Sequence, residues 1–523
     1  MNTVGMRIVE GLHARGVDVV FGIPGVHTVE MYRGLSGSPV RHVTARHEQG
    51  CAFMADGYAR AAGKPGVALV ITGPGLTNAL TAMAQAREDS IPMLVISGVN
   101  RRASLGKGQG LLHELPDQQA MVAALCPTRR INDPADVAAT LDWAFATMAT
   151  GRPGPVHIEV PTDVMPMPCP SLPAPAPMPV RRVAEGVETA AAMLNEAGRV
   201  VILTGGGCRG QEAALRALAE RLDAPVVQTV NARGMLHGHA LVVPASPSLD
   251  AVRDLIQGAD RVLAIGTEFG STDYDMYVCG GLPAPSDMIR LDICADQLAR
   301  LPAALRLHGD AGATMTALLP LIAAHDGGGA ARAEACRRAA RHELAVKEPL
   351  MPRRLEMVEV IRAAMPNALI VGDSTQPVYA ANLYYDHDRP GGFFNAATGY
   401  GALGYGPGAA VGAAIGSPGA RVVCLIGDGG LQFSPGELRT AVDERLAITF
   451  LVWNNAAFNE IADAMRAANT EVIGCTPSPL KLEPFAAACD LPFTSVPLDA
   501  EALHWALSQP CEGPRLIEIR VKA

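Results

Sequence analysis

Charge and aromatic rings are scarce in this 523-residue chain: Asp, Glu, Lys and Arg make up 18% and Phe, Trp and Tyr 4%. No excess of base is present. Lys and Arg number 43 against 52 Asp and Glu, a net charge of −9, so no general affinity for nucleic acid or an anionic membrane is implied. The 11 cysteines are scattered, the nearest pair being Cys475 and Cys489, with no CxxC and no Cys/His cluster. That excludes a zinc-finger-like site and a dense disulfide framework, and it fits a reducing compartment. Residues 1–16 lack the apolar core of a secretory signal. The most apolar stretch, residues 406–426, is Gly/Ala-rich and broken by Pro418 and Arg421, which argues against a membrane span. These absences lead to the expectation of a cytoplasmic protein with neither a nucleic acid nor a membrane as partner.

What is present is apolar and long. Apolar residues reach 49%, too many for a disordered chain. At about 150 residues per domain the length suggests about three domains. Residues 161–181 are so Pro-rich that neither a helix nor a sheet ladder runs through them. Residues 324–350 hold a Gly run and then an Arg-rich segment, read as a second linker. The chain then divides into 1–165, 182–323 and 350–523. Each third alternates short β-branched runs with Ala-rich helical stretches, as in residues 67–72 (VALVIT), 93–97 (MLVIS), 199–206 (RVVILTGG), 421–427 (RVVCLIG) and 448–454 (ITFLVWN). Continuous apolar runs joined by helices imply an α/β fold of three doubly wound parallel sheets. Residues 58–100 and 409–455 also share one order: helix, Gly-x-Pro-Gly, strand, Gly-rich turn, helix, strand. The first and third domains are therefore expected to be alike, with a Rossmann-like domain between them.

Gly427-Asp428-Gly429 falls where a strand meets a turn, and Asn454-Asn455 ends the next strand. Ligands bind at the C-terminal edge of parallel sheets. A carboxylate and an amide oxygen converging there, with glycines allowing close approach, suit a hard divalent cation bridging to phosphate. Taken singly, Asp-Gly and Asn-Asn are ordinary turn dipeptides. Together they match the diphosphate-binding motif of thiamine-diphosphate enzymes. Residues 46–60, from Arg46-His47-Glu48 to Tyr58-Ala59-Arg60, residues 21–25 and residues 72–78 add further blocks in the same order. The chain thus resembles the acetolactate synthase and benzoylformate decarboxylase superfamily.

The resemblance implies roles by position. Glu48 would activate the cofactor through its aminopyrimidine. Asp428, Asn455 and the Ala457 carbonyl would hold Mg²⁺. Pro24, Gly25, Thr72, Asn78, Ser374, Thr375, Gly401, Leu403, Gly427 and Gly429 would contact thiamine diphosphate, Gly401 through its carbonyl and Leu403 as an apolar wedge. Gly372-Asp373-Ser374-Thr375 departs from the Gly-Gln-His of acetolactate synthases and is closer to the Ser-Thr of benzoylformate decarboxylases. His113 and His27 fall in active-site loops and are candidate proton carriers. In the family the site lies between chains, so a homodimer or homotetramer is expected. FAD, held by the central domain in acetolactate synthases, is not expected, because Gly205-Gly206-Gly207 is only a weak nucleotide signal.

Residues 21–28, 104–106 and 113–118 most resemble the group of 5-guanidino-2-oxopentanoate (2-ketoarginine) decarboxylases. A guanidinium calls for a carboxylate at the far end of the pocket. Glu460 and Asp463 follow the metal motif and are the first candidates, with Glu114 and Asp117 the others. The expected reaction is non-oxidative decarboxylation of a 2-oxo acid. Open alternatives are a carboligase like acetolactate synthase, a decarboxylase of an aromatic or aliphatic 2-oxo acid, and a non-catalytic binding protein that retains the fold. Intact Glu48, Asp428 and Asn455 argue against the last.

Overall fold

The computed structural model describes residues 2–276, 281, 285 and 287–521. Its strands form three sheets of six, parallel throughout. The first comprises Val19–Gly22, Arg41–Thr44, Gly66–Val70, Met93–Val99, Thr128–Arg130 and Pro155–Pro161. The third comprises Leu369–Gly372, Phe393–Asn395, Val422–Gly427, Ile448–Asn454, Phe493–Pro497 and Arg515–Arg520. Numbered within each sheet, both run 2-1-3-4-6-5. The internal likeness read from residues 58–100 and 409–455 therefore extends to complete topology.

The middle sheet, from Val200–Thr204 to Leu305–His308, runs 3-2-1-4-5-6, the doubly wound dinucleotide-fold order. Its glycine run has a packing reason of its own. A Cβ on Gly205 would lie 2.2 Å from the Gly266 carbonyl, and one on Gly207 would lie 2.8 Å from the Gly266 Cα, so two strand-end loops touch backbone to backbone.

Every residue of Gly66–Val70 and Met93–Val99 is buried. Helices cover both faces of the sheet, which is why these strands read as unbroken apolar runs. The 161–181 reading holds in that no helix or strand element begins between Pro161 and Val187. The 324–350 reading does not. Gly329–Lys347 is a helix whose buried Ala333, Cys336, Ala340 and Leu344 recur at helical spacing. This stripe packs on the helix Asp250–Gln257. Its small side chains, diluted by arginines on the wet face, hid the period from composition alone.

The first and third sheets meet in the same chain through the helices Glu48–Ala62 and Tyr405–Gly416. A Cβ on Gly57 would lie 2.0 Å from the Ala409 carbonyl, and one on Gly412 1.9 Å from that of Met54. The crossing thus depends on glycines. Beside it, fully buried Arg60 donates to Asp56 and Asp89 at 2.7 Å each, and Tyr405 donates to Asp56 at 2.5 Å. Arg60 also reaches Asn231 of the middle sheet region, and Thr398 donates to Asp89. One buried network therefore ties all three sheet regions together.

Burial also makes a pH prediction. His157, between Ser97 and Thr128 at 2.8 Å on either side, is fully buried, and desolvation pulls its pKa down to about 3. Unfolded, it would titrate near 6.5, so between these values the unfolded chain binds the extra proton. The neutral-pH stabilisation is whole above about pH 6.5 and is lost as pH falls toward 3. Thermal unfolding followed by circular dichroism should show the melting temperature dropping through this window, with a shallower drop in His157→Gln.

Candidate active site

The metal-side half is built at the C-terminal edge of the third sheet. Strands Val422–Gly427 and Ile448–Asn454 are adjacent, with Gly427 opposite Trp453, so both motifs end side by side. Gly427 caps the short helix Asp428–Leu431, and buried Asp428 accepts the Asn455 amide at 3.3 Å. Burial raises the pKa of the Asp428 carboxyl, against the backbone amides around it. Ala456 adopts φ +55, turning the chain so that the Ala457 amide meets the Asn455 Oδ1 at 3.2 Å. A Cβ on Gly427 would lie 3.2 Å from the Thr375 Oγ1, and one on Gly429 2.5 Å from the Phe458 ring. These contacts draw the Thr375 loop and the Gly-Asp-Gly turn together.

Two residues missed in the sequence organise this half. Asp373 is wholly buried and accepts the amides of Ser374 at 2.8 Å and Gly406 at 2.9 Å; burial lifts its pKa to about 6. It fastens the Ser374–Thr375 loop to the start of the helix Tyr405–Gly416. The buried Gln376 accepts from Trp453 Nε1 at 3.1 Å and Asn455 Nδ2 at 3.4 Å. The only sequence signal was polar residues interrupting an apolar block.

The Gly399–Gly404 turn lies next to it. Gly401 has φ +76, Leu403 is half-buried, and Gly404 (φ +80) accepts from Ser434 Oγ at 2.7 Å. Ala402 donates to Gln85 Oε1 at 3.2 Å, which links this turn to the first sheet's helix Pro74–Glu88.

The other half lies on the first sheet. Glu48 begins the helix Glu48–Ala62, and Asn78 donates to its carboxylate at 2.9 Å. The Arg46 and His47 amides both donate to Glu437, so a third-sheet carboxylate fixes the approach to Glu48. His27 and His113 meet edge to face with ring centroids 5.4 Å apart. Their Nδ1 atoms, and the Thr72 Oγ1, are buried without a hydrogen-bond partner among the described residues. His113 is held at φ +61, a strained conformation for a non-glycine residue, and a Cβ on Gly73 would lie 2.5 Å from its carbonyl. Burial lowers the His27 pKa, and the neighbouring His113 adds to the effect. A Cβ on Gly25 would lie 2.3 Å from Ile71, so the Pro24–Gly25 turn rests on the end of the strand that leads to Thr72.

The four candidate carboxylates separate. Glu114 accepts the amides of Gln109 and Leu111 at 3.1 and 2.9 Å and so closes its own loop; those amides lower its pKa. Asp117 caps the helix Gln118–Ala123 through the Ala120 amide. Asp463 pairs with Arg466 on an exposed helix face. Glu460 is exposed as a residue, in the first turn of the helix Asn459–Ala467. Partial burial of its carboxyl raises its pKa, against the opposing influence of Gln376 and Arg354.

Orphaned buried polar atoms on one half and a glycine-walled cradle with oxygen donors on the other fit a polar, multidentate ligand. Among the described residues no three His, Cys, Asp or Glu side chains cluster as a metal site. The oxygen donors at Asp428 and Asn455 suit only a cation that takes further ligands from phosphate. No helix among the described residues is long and apolar enough to cross a membrane.

Comparison with known proteins agrees with this geometry. Residues 2–121 match the model for the thiamine pyrophosphate enzyme N-terminal TPP binding domain, 187–318 the central domain and 373–519 the C-terminal TPP binding domain. A probable 2-ketoarginine decarboxylase of Pseudomonas aeruginosa is 42% identical over 91% of this chain and 86% of its own. The acetolactate synthase isozyme 1 large subunit of Escherichia coli is 29% identical over 99% and 93%. An acetolactate synthase of Mycobacterium bovis is 31% identical over 87% and 76%. With three domain models in family order and a relative of this similarity along nearly its whole length, the chain belongs to the thiamine pyrophosphate enzymes.

Proposed function

We propose that the protein is a thiamine-diphosphate- and Mg²⁺-dependent decarboxylase that converts 5-guanidino-2-oxopentanoate to 4-guanidinobutanal and CO₂. The observation that carries the substrate assignment is Glu460: of the four candidate carboxylates, it alone stands in the first turn of the helix that follows Asn455 without being committed to its own loop, a helix cap or an arginine. The similarity to a probable 2-ketoarginine decarboxylase supports it. The domains of this proposal are 1–165, 182–323 and 350–523.

In this reading Asp428, Asn455 and the Ala457 carbonyl hold the metal. Ser374, Thr375, Gly427 and Gly429 cradle the diphosphate, and Gly401 and Leu403 seat the rings. Pro24, Gly25, Thr72 and Asn78 close the other side. Thiamine diphosphate supplies the carbanion chemistry that lets a 2-oxo acid lose CO₂. Glu48 shares a proton with the pyrimidine ring nitrogen, in an orientation set by Asn78. His27 and His113 meet with ring centroids 5.4 Å apart and are the candidates to carry a proton to the product carbon; burial, and then the neighbouring His113, lower the His27 pKa.

Exposed Val26 and Leu112 flank the two histidines, and exposed Tyr400, Phe433 and Ile461 flank the other half. Burying both sets against a second copy would complete the site between subunits, which supports a homodimer or a homotetramer. A second reading, ligation of two carbonyl compounds, is favoured by the similarity to acetolactate synthases.

Glu460→Gln tests the substrate. Removing one member of a desolvated charge pair should lower kcat/KM for the guanidino acid by about a hundredfold. Loss on a neutral 2-oxo acid of similar length should stay below about threefold. Equal losses on both substrates would take Glu460 out of recognition.

A further inference from the structure

We infer that Gln118 is a positioning residue for the histidine pair: its one buried amide clamps Gly73 and Gly98, the glycines on which His113 and His27 rest. The inference builds on the proton-carrying reading of His27 and His113 proposed above and adds the residue that holds them together. Gln118 opens the helix Gln118–Ala123 and is buried. Its Oε1 accepts the Gly73 amide at 3.0 Å. Its Nε2 donates to the Gly98 carbonyl at 2.9 Å, to Glu159 at 3.0 Å and to Ser97 Oγ at 3.2 Å.

The partners fix which way this amide faces. The Gly73 N–H can only donate and the Gly98 carbonyl can only accept. Reversing the amide would set donor against donor at Gly73 and acceptor against acceptor at Gly98. Glu159, whose other oxygen accepts from Arg130 at 2.5 Å, anchors the NH₂ group from the neighbouring strand Pro155–Pro161. Gln118 thus joins the turn after Gly66–Val70 to the end of the adjacent strand Met93–Val99.

Both glycines are packed directly against the pair. A Cβ on Gly73 would lie 2.5 Å from the His113 carbonyl and 3.0 Å from the His113 Cβ. One on Gly98 would lie 3.4 Å from the His27 Cβ and 2.6 Å from Thr72 Oγ1. The His113 loop is held elsewhere too. Glu114 closes it on the amides of Gln109 and Leu111, and Asn100 Nδ2 donates to the Leu112 carbonyl at 3.0 Å. The strained φ of +61 at His113 is therefore imposed from before the residue by Asn100 and from after it by Gln118. Gln118 acts through these backbone contacts and not through chemistry of its own.

The test is Gln118→Met, which keeps the length and removes the amide, read beside His113→Asn, a residue that tolerates φ +61. In a single turnover of 5-guanidino-2-oxopentanoate by the Gln118→Met holoenzyme, CO₂ release should stay within about twofold of wild type, while the aldehyde appears about tenfold more slowly. Adding Gln118→Met to His113→Asn should slow the aldehyde little further, because the two residues act as one unit. Histidine NMR of the apoenzyme, assigned with His27→Asn, should show His27 titrating closer to 6.5 in Gln118→Met. A loosened pair sheds burial and then the His113 charge, the two causes that lower it. This titration needs no substrate, so it judges Gln118 even where the guanidino acid is not turned over. If Gln118→Met does not fold, because the Gly73 amide is left buried without an acceptor, Gln118→Asn carries the same measurements. It keeps the amide on a side chain too short to span both glycines. Parallel loss of CO₂ and aldehyde, or an unchanged His27 titration in a folded variant, overturns the inference. So does an aldehyde rate unchanged in Gln118→Met but slowed in His113→Asn. Aldehyde formation left intact by both His113→Asn and His27→Asn overturns the reading of the pair, and the inference with it.

Discussion

Glu48→Gln is expected to lower turnover by at least about a hundredfold while leaving cofactor and Mg²⁺ affinity nearly unchanged. The reason lies in where Glu48 sits. It starts the helix Glu48–Ala62 on the first sheet, held by Asn78 at 2.9 Å, and the amides before it are fastened to Glu437. Glutamine has the same length and can still meet Asn78, so the fold and the diphosphate cradle on the third sheet should persist. It cannot share a proton with a ring nitrogen as a carboxylate does. Exchange of the cofactor's C2 proton, followed by NMR after acid quench, should slow in parallel with turnover. Exchange at the wild-type rate would remove Glu48 from cofactor activation.

Asp428→Ala should fail in the opposite way. The carboxylate is buried at the end of Val422–Gly427, touches the Asn455 amide at 3.3 Å, and is the sole charged donor of its proposed metal set. Its loss should weaken Mg²⁺ and thiamine diphosphate binding by at least about a hundredfold, since even supporting residues of metal sites cost ten- to a hundredfold. High concentrations of both should recover only part of the rate. Removing Mg²⁺ from the wild type with a chelator should have the same effect and be reversed by adding the metal back. Cofactor binding unaffected by Asp428→Ala would show that the carboxylate holds no metal.

The parallel sheets were legible because strands such as Met93–Val99 are buried on both faces and therefore read as unbroken apolar runs. The likeness of the first and third sheets could be read from Gly-rich turns at matching places. The helix Gly329–Lys347 could not, because its buried stripe is made of Ala, Cys and Leu set among arginines. In the site, Asp428 and Asn455 lie at strand ends that local spacing marks, and Glu48 is marked by the family resemblance of residues 46–60. His27 and His113 are far apart in sequence, and only the fold brings their rings to 5.4 Å. Asp373 and Gln376 showed in the sequence only as polar residues interrupting an apolar block, since their roles depend on partners at Gly406, Trp453 and Asn455 that only sheet register supplies. Glu460 already ranked ahead of Glu114 in the sequence because it follows the metal motif. The fold separates them further: Glu114 meets two amides of its own loop, while Glu460 stands in the first turn of the helix Asn459–Ala467.

The most direct test of the central claim is product analysis with the purified wild-type enzyme, 5-guanidino-2-oxopentanoate, thiamine diphosphate and Mg²⁺. Stoichiometric CO₂ and 4-guanidinobutanal, lost when either cofactor or metal is withheld, is the predicted result. A 2-hydroxyketone as the main product, or no turnover of the guanidino acid beside ready turnover of another 2-oxo acid, would contradict it.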